Sequence, residues 1–155
     1  MLQDPNATGL LVFPTKALAG DQAEKWNGAV TRLPGIDDPR SLFAVPFDGD
    51  SNAADRRVAR DSARLLVTNP EMIHANLLPG HSRWQRFLHG LNFVVLDEVH
   101  TYTGFFGANM ANVIRRLDRI CEHYGGKPQY VCSSATIGNP NEVAELLVNR
   151  PFRVI

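Results

Sequence analysis

The chain has 155 residues, 44% of them hydrophobic and 21% charged, enough for one domain with a packed core and too few for two ordinary ones. Lys+Arg and Asp+Glu are both 16, so the net charge is zero, and any attraction to nucleic acid or membrane has to use local patches. No apolar run approaches the roughly 20 residues of a membrane span, and Met1-Leu2-Gln3-Asp4-Pro5 lacks the basic start and apolar middle of a signal peptide. The two cysteines, Cys121 and Cys132, fit neither zinc spacing nor a disulfide framework, so a reduced, structural pair in a cytoplasmic protein is expected.

In chain order, short apolar runs alternate with segments of helical period. The runs are Leu10-Leu11-Val12-Phe13, Leu42-Phe43-Ala44-Val45, Leu65-Leu66-Val67, Phe93-Val94-Val95-Leu96 and Tyr130-Val131-Cys132. Each is continuous rather than alternating, which is how strands buried on both faces of a parallel sheet read. Trp84, Phe87, Leu88 and Leu91 fall on one helical face, as do Val113, Leu117, Ile120, Cys121 and Tyr124. The second of these helices is expected to stop at Gly125-Gly126, a C-cap signal. Asn139-Pro140-Asn141-Glu142 opens a last helix, with Asn139 as N-cap, Pro140 at N1 and Glu142 at N3. Pro34-Gly35 and Pro79-Gly80 mark loops. This alternation predicts a three-layer α/β domain with a mostly parallel sheet.

Polar residues follow every run: Pro14-Thr15-Lys16, Phe47-Asp48-Gly49-Asp50-Ser51, Thr68-Asn69-Pro70-Glu71, Asp97-Glu98-Val99-His100 and Ser133-Ser134-Ala135-Thr136. In a parallel sheet these ends share one rim, where open α/β sheets bind ligands. A carboxylate at a strand tip, as at Asp97, suits a hard cation such as Mg²⁺ together with phosphate oxygens and waters. A second one beside it, Glu98, can orient or deprotonate a water. Plainer readings stand next to these. Adjacent acids can be a solvated strand end, and His100 a satisfied loop residue. Thr15 can be only an N-cap, Lys16 a solvated end, and Thr68, Ser134 and Thr136 turn hydroxyls. Arg56, Arg60 and Arg64 are spaced four apart on one helical face, a stripe that tracks phosphates or simply faces water.

The order of these pieces carries a resemblance. Pro14-Thr15-Lys16-Ala17-Leu18-Ala19 resembles helicase motif Ia, and Thr68-Asn69-Pro70-Glu71-Met72 resembles motif Ib. Asp97-Glu98-Val99-His100 is similar to the DEAD/DEAH box, motif II, and Ser134-Ala135-Thr136 to motif III. Over nearly its whole length the sequence resembles the first RecA-like domain of a superfamily 2 DEAD/DEAH-box helicase, and the stretches Thr68–His74 and Val94–Asn109 resemble bacterial MrfA-type repair helicases, relatives of the Hrq and Lhr groups. The resemblance implies a RecA-like fold of the P-loop NTPase type, with ATP and Mg²⁺ as cofactors and nucleic acid, DNA rather than RNA, as partner. It gives Asp97 the Mg²⁺ of Mg-ATP through water, and Glu98 the attacking water. His100 would link the nucleotide site to motif III, and Ser134 and Thr136 would couple hydrolysis to strand movement. Thr15, Lys16, Gly49, Asp50, Thr68 and Asn69 would lie along one strand's phosphate backbone.

One part of the family's pattern is missing. A helicase needs a phosphate-cradling loop, G-x-x-x-x-G-K-[ST]. The nearest candidate, Gly125-Gly126-Lys127-Pro128, has Cys121 where the first Gly belongs and Pro128 where the hydroxyl belongs. The expectation is therefore a partial first RecA-like domain spanning 1–155, without the P-loop strand and without the second RecA-like domain. Alone it should bind ATP weakly and not turn it over, and the edge of the strand at Tyr130-Val131-Cys132 should be unpaired or paired by another molecule. Two alternatives remain: a non-catalytic nucleic-acid-binding module, or a metal-dependent hydrolase built on Asp97, Glu98 and His100. No partner membrane is expected.

Overall fold

The computed structural model describes residues 4–34 and 38–155. Met1-Leu2-Gln3 and the Gly35 half of the Pro34-Gly35 loop lie outside the described residues. The five expected runs all become strands: β1 Thr8–Val12, β2 Ala44–Pro46, β3 Leu65–Thr68, β4 Leu91–Leu96 and β5 Gln129–Cys132. They form one sheet in the order β2-β3-β1-β4-β5, with every neighbouring pair parallel. This is the fold class expected from the sequence. Phe13, Leu42 and Phe43 are the exceptions among the runs: Phe13 follows β1, and Leu42 and Phe43 end a 3₁₀ turn at Pro39–Leu42 ahead of β2.

Helices occupy the crossovers. They are α1 Lys16–Val30, α2 Ala53–Asp61, α3 Pro70–Met72, α4 Gln85–His89, α5 Gly104–His123 and α6 Pro140–Val148. Local chemistry sets their ends. Asn52 and Asp55 form a reciprocal capping box on α2, and Asn69 caps α3, its Oδ1 accepting from the Met72 N–H at 3.0 Å. A π-turn at Ile73–Leu77 continues α3. Gly125, at φ +83°, ends α5 as expected. Within α5, a Cβ at Gly107 would lie 2.3 Å from the Tyr102 carbonyl oxygen, so only glycine lets the helix approach that turn.

Two expectations are corrected here. Leu91 does not continue the helical face of Trp84, Phe87 and Leu88; α4 stops at His89 and Leu91 opens β4, because a fully buried β-sheet slot beside Thr8 is available to it. Asn139 precedes α6, but its amide donates to the Glu142 carboxylate at 2.8 Å instead of capping backbone N–H groups.

The two faces of the sheet are covered unequally. On one, Leu10, Val12, Leu66, Val94 and Leu96 form the main core with Ile73, Phe87, Ile114 and Leu117. On the other, a small cluster of Phe13, Ala19, Ala23, Ala44, Leu65 and Val67 seats α1 on β1–β3. In-register partners of parallel strands share a face, so Val67, Leu11, Val95 and Val131 make one row across the sheet. Along it exposure rises from 1% at Val67 to 44% at Val131 as α1 runs out. Phe93, in the next row, is 37% exposed. Burial on both faces thus holds for β1 and β3 and not for β4 and β5. Strand β5 pairs only with β4, so its outer edge is open among the described residues. Both cysteines are free, and burial pushes each thiol up to about 12, which keeps them protonated and unreactive at neutral pH.

Candidate active site on the sheet rim

Parallel pairing brings all five strand ends to one edge. Strand β1 sends its helix to one face, whereas β3 and β4 send theirs to the other. Such a switch opens a crevice at the C-terminal rim. Across the rim the order is the loop 47–51, then Thr68 and Asn69, then Thr15 and Lys16, then 97–100, then 133–136.

The β4–β5 half carries a tight polar cluster. The Asp97 N–H donates to the Val12 carbonyl at 3.0 Å, which locks its backbone onto β1. The Ser133 hydroxyl donates to the Asp97 carboxylate. Reciprocal backbone bonds, Ser133 N–H to Leu96 O at 3.0 Å and Val99 N–H to Ser133 O at 2.9 Å, bind the two strand ends together. Glu98 adopts a left-handed conformation, φ +53° and ψ +45°, a strained state for a non-glycine residue that concentrates at functional sites. The Thr101 N–H and hydroxyl hold its carbonyl at 2.9 and 2.8 Å.

His100 stands between two partners. Its Nδ1 is 3.1 Å from Glu98 Oε2 and 3.2 Å from the Ala135 N–H. One ring nitrogen cannot donate to a carboxylate and accept from an amide together. The proton on Nδ1 therefore selects between Glu98 and the Ala135 backbone. Ser134 and Thr136 are exposed and line a cleft of about 370 Å³ with Val99, Pro140 and Phe152.

Two neighbours in this half were not among the expected residues. One is Ser133, whose position opposite Asp97 follows from the Leu96–Cys132 register, which sequence periodicity does not reveal. The other is Tyr102, 3% exposed, whose hydroxyl is the one buried side-chain polar atom without a hydrogen-bond partner among the described residues. Burial and, after it, the charge of Asp97 hold its phenol well above the usual range.

The β1–β3 half is organised differently. The Thr15 hydroxyl accepts from the Leu18 N–H at 3.3 Å and caps α1. Lys16, the first residue of α1, forms an ion pair with Asp50 across the rim. That hydrogen bond raises the lysine pKa. Asp50 sits in a built loop: Asp48 accepts from the N–H groups of Asp50 and Ser51 at 2.9 and 3.1 Å, and Arg56 Nε donates to the Ser51 carbonyl at 2.8 Å. Gly49 has no left-handed backbone, and a Cβ there would meet nothing within 4 Å, so the fold itself does not demand glycine.

At their place on the rim Thr68 and Asn69 turn their side chains inward. Thr68 is 1% exposed and its hydroxyl donates to the Phe47 carbonyl at 2.7 Å; Asn69 is the α3 cap. The arginine stripe is also redistributed. Arg64 falls beyond the end of α2 and donates to the Asp4 carbonyl at 2.7 Å, so the three side chains do not share a helical face. Among the described residues, no group of three metal-ligating side chains converges.

The five-stranded parallel sheet with helices on its faces is the RecA-like class of α/β fold. The chain belongs to the DEAD/DEAH box helicase family, whose profile matches residues 1–144. It is 43% identical over 153 residues to the uncharacterized ATP-dependent helicase YprA of Bacillus subtilis (strain 168), covering 99% of this chain and 20% of that protein. It is 39% identical over 142 residues to the ATP-dependent helicase HRQ1 of Saccharomyces cerevisiae, covering 90% and 13%. The crystal structure of the DUF1998 helicase MrfA bound to DNA and AMPPNP superimposes with a TM-score of 0.90 at 44% identity, over 97% of this chain and 20% of that one. The chain thus spans about a fifth or less of the length of these relatives. No helix among the described residues is long and apolar enough to cross a membrane.

Proposed function

We propose that residues 1–155 are the motif Ia–III part of the first RecA-like domain of an ATP-dependent helicase acting on DNA rather than RNA, in the cytoplasm. The observation that carries this is the division of labour along one rim: Asp97, Glu98, His100 and Ser133 cluster on β4–β5, while Thr15, Lys16 and the 47–51 loop lie on β1–β2. In this reading Asp97 holds Mg²⁺ through water. The donor set fits such an ion, because a single carboxylate with waters and nucleotide oxygens is the habit of Mg²⁺ and not of a caged metal. When bound, Mg-ATP supplies the phosphoryl group. Glu98 orients and deprotonates the water, and its strained backbone fixes where its carboxylate stands. His100 passes the state of Glu98 to Ala135, and through it to Ser134 and Thr136.

The phosphate cradle is proposed to come from further chain of the same protein. Three features support this: the open edge of β5, the half-exposed row ending at Val131, and a cleft of about 450 Å³ between Gln129–Cys132 and the segment from Arg150 to Ile155. Together they have room for one more strand at the edge and one more helix over the face. Without that cradle the triphosphate lacks its main electrostatic hold.

The test is phosphate release. The 155-residue chain should show none with or without single-stranded DNA. The longer protein carrying these residues should show DNA-stimulated release that Glu98→Gln lowers by about a hundredfold or more. DNA-stimulated release from the short chain, abolished by Glu98→Gln, would overturn the fragment reading. Equal binding of matched DNA and RNA oligonucleotides would overturn the DNA preference.

A further inference from the structure

One solvent-open cleft on the rim side is lined by residues given no role so far, apart from Pro70 and Glu71 of the motif Ib segment. It measures about 480 Å³ and runs between α3 with the π-turn after it and the stretch of α5 from Phe106 to Arg116, lined among others by Glu71, His74, Phe106, Asn109, Asn112 and Arg116. Both helices start directly after rim segments, α3 after Asn69 and α5 a few residues beyond Glu98. The cleft mouth therefore continues the rim on the main-core face.

Its walls have the chemistry of a base pocket. Phe106 is 42% exposed, yet its ring is not loose: it rests on the buried Tyr102 ring, centroids 5.2 Å apart with the planes inclined by 35°. An exposed aromatic fixed from behind is a preformed stacking surface, and stacking on it loses little side-chain freedom. Arg116 donates to His74 Nδ1 at 2.8 Å and forms no ion pair with an acid among the described residues. A flat imidazole and a guanidinium thus line the cleft about 15 Å further along α5 than the aromatic, with a charge that suits a backbone phosphate. Asn109 and Asn112 add amide donors and acceptors that can meet a base edge. Mostly apolar walls with a few converging polar groups are the make-up of a site that orients a small planar ligand.

We propose that this cleft takes an unpaired base of a single-stranded nucleic acid, stacked on Phe106, with the adjoining backbone leading toward Arg116. The inference rests on the nucleic-acid reading of the rim and deepens it. The contacts given to Thr15, Lys16 and the 47–51 loop are to the backbone and ignore the bases, whereas this one requires a base.

That difference supplies the test. Binding of the 155-residue chain is measured by fluorescence anisotropy against a 12-nucleotide oligothymidine and against the same backbone with every base removed. The unmodified chain should prefer the base-bearing strand by about tenfold. Phe106→Ala should abolish that preference, leaving the abasic affinity and the salt dependence unchanged. Phe106→Trp should retain the preference, and its indole fluorescence should fall on adding oligothymidine and not on adding the abasic strand. Phe105→Ala, at a residue 84% exposed and outside the cleft, should behave as the unmodified chain. Lys16→Ala should weaken both strands equally and reduce the salt slope. A Phe106→Ala chain that still prefers the base-bearing strand, or that loses both strands in parallel, overturns the stacking site while leaving the backbone track standing. Salt-independent or absent binding of both strands by the unmodified chain overturns the rim reading and this inference with it.

Discussion

At the scale of single residues, the rim separates what a sequence can name from what only packing decides. The types Asp97, Glu98 and His100 and their place after an apolar run were readable, because a polar cluster at the end of a buried strand is conspicuous. That the Ala135 N–H and the Glu98 carboxylate compete for one nitrogen of His100 was not readable; it depends on strand order and register. Thr68 shows the converse. A hydroxyl at a strand end suggests a phosphate contact, but here the side chain turns inward and donates to the Phe47 carbonyl in a region that is 1% exposed. The bond ties the start of the 47–51 loop to the end of β3. Thr68→Val keeps shape and removes the donor, leaving a buried carbonyl short of a partner. It should cost about 1–2 kcal/mol in urea denaturation. An unchanged midpoint would mean the hydroxyl is free for other work.

At the scale of elements, strands were legible and their fastenings were not. Short continuous apolar runs located β1, β3, β4 and β5 within two residues, since a strand needs only a few apolar side chains in a row. The helix expected around Trp84 was cut short because a periodic pattern does not state where a strand takes over, and Leu91 satisfies either period. The segment after α6 is held by a contact invisible to periodicity. Arg150 pairs with Asp118 of α5 at 3.0 Å and donates to the Pro128 carbonyl at 2.9 Å. It also lies over the Tyr130 ring, 5.0 Å from the centroid, while the Tyr130 hydroxyl donates to Asp118 at 2.8 Å. One planar cation thus joins α5, β5 and the chain leaving α6. Arg150→Met should lower stability by about 1 kcal/mol, a modest loss because the pair is partly solvated. Arg150→Lys should recover less than half of that, since an ammonium reproduces neither the fork nor the stack. Full recovery by lysine in thermal melts would reduce the network to simple charge.

At the scale of the whole molecule, the mismatch between sequence and structure is itself informative. The runs at Phe93-Val94-Val95-Leu96 and Tyr130-Val131-Cys132 are apolar on both faces, the pattern of strands covered twice. Only one face is covered: α1 reaches as far as β1, and Leu11, Val95 and Val131 emerge step by step from under it. Of the five-strand order only the open edge at β5 was legible, through the missing P-loop strand; the rest was not, because strand neighbours are chosen by crossover geometry and not by composition. The uncovered face and the open edge of β5 coincide, and an apolar edge strand is a template for pairing with another chain. The 155-residue chain should accordingly self-associate reversibly at tens of micromolar, and the contact should centre on β5. Val131→Lys places a charge on that strand at a position already 44% exposed, so it should leave the melting temperature within about a degree while desolvation of the new charge blocks pairing. Sedimentation velocity distinguishes the outcomes: a concentration-dependent shift in the unmodified chain that disappears in the variant supports an unsatisfied edge. Association that survives Val131→Lys would move the contact elsewhere, and a unmodified chain that stays monomeric throughout would show that half-covered β4 and β5 are adequately solvated as they are.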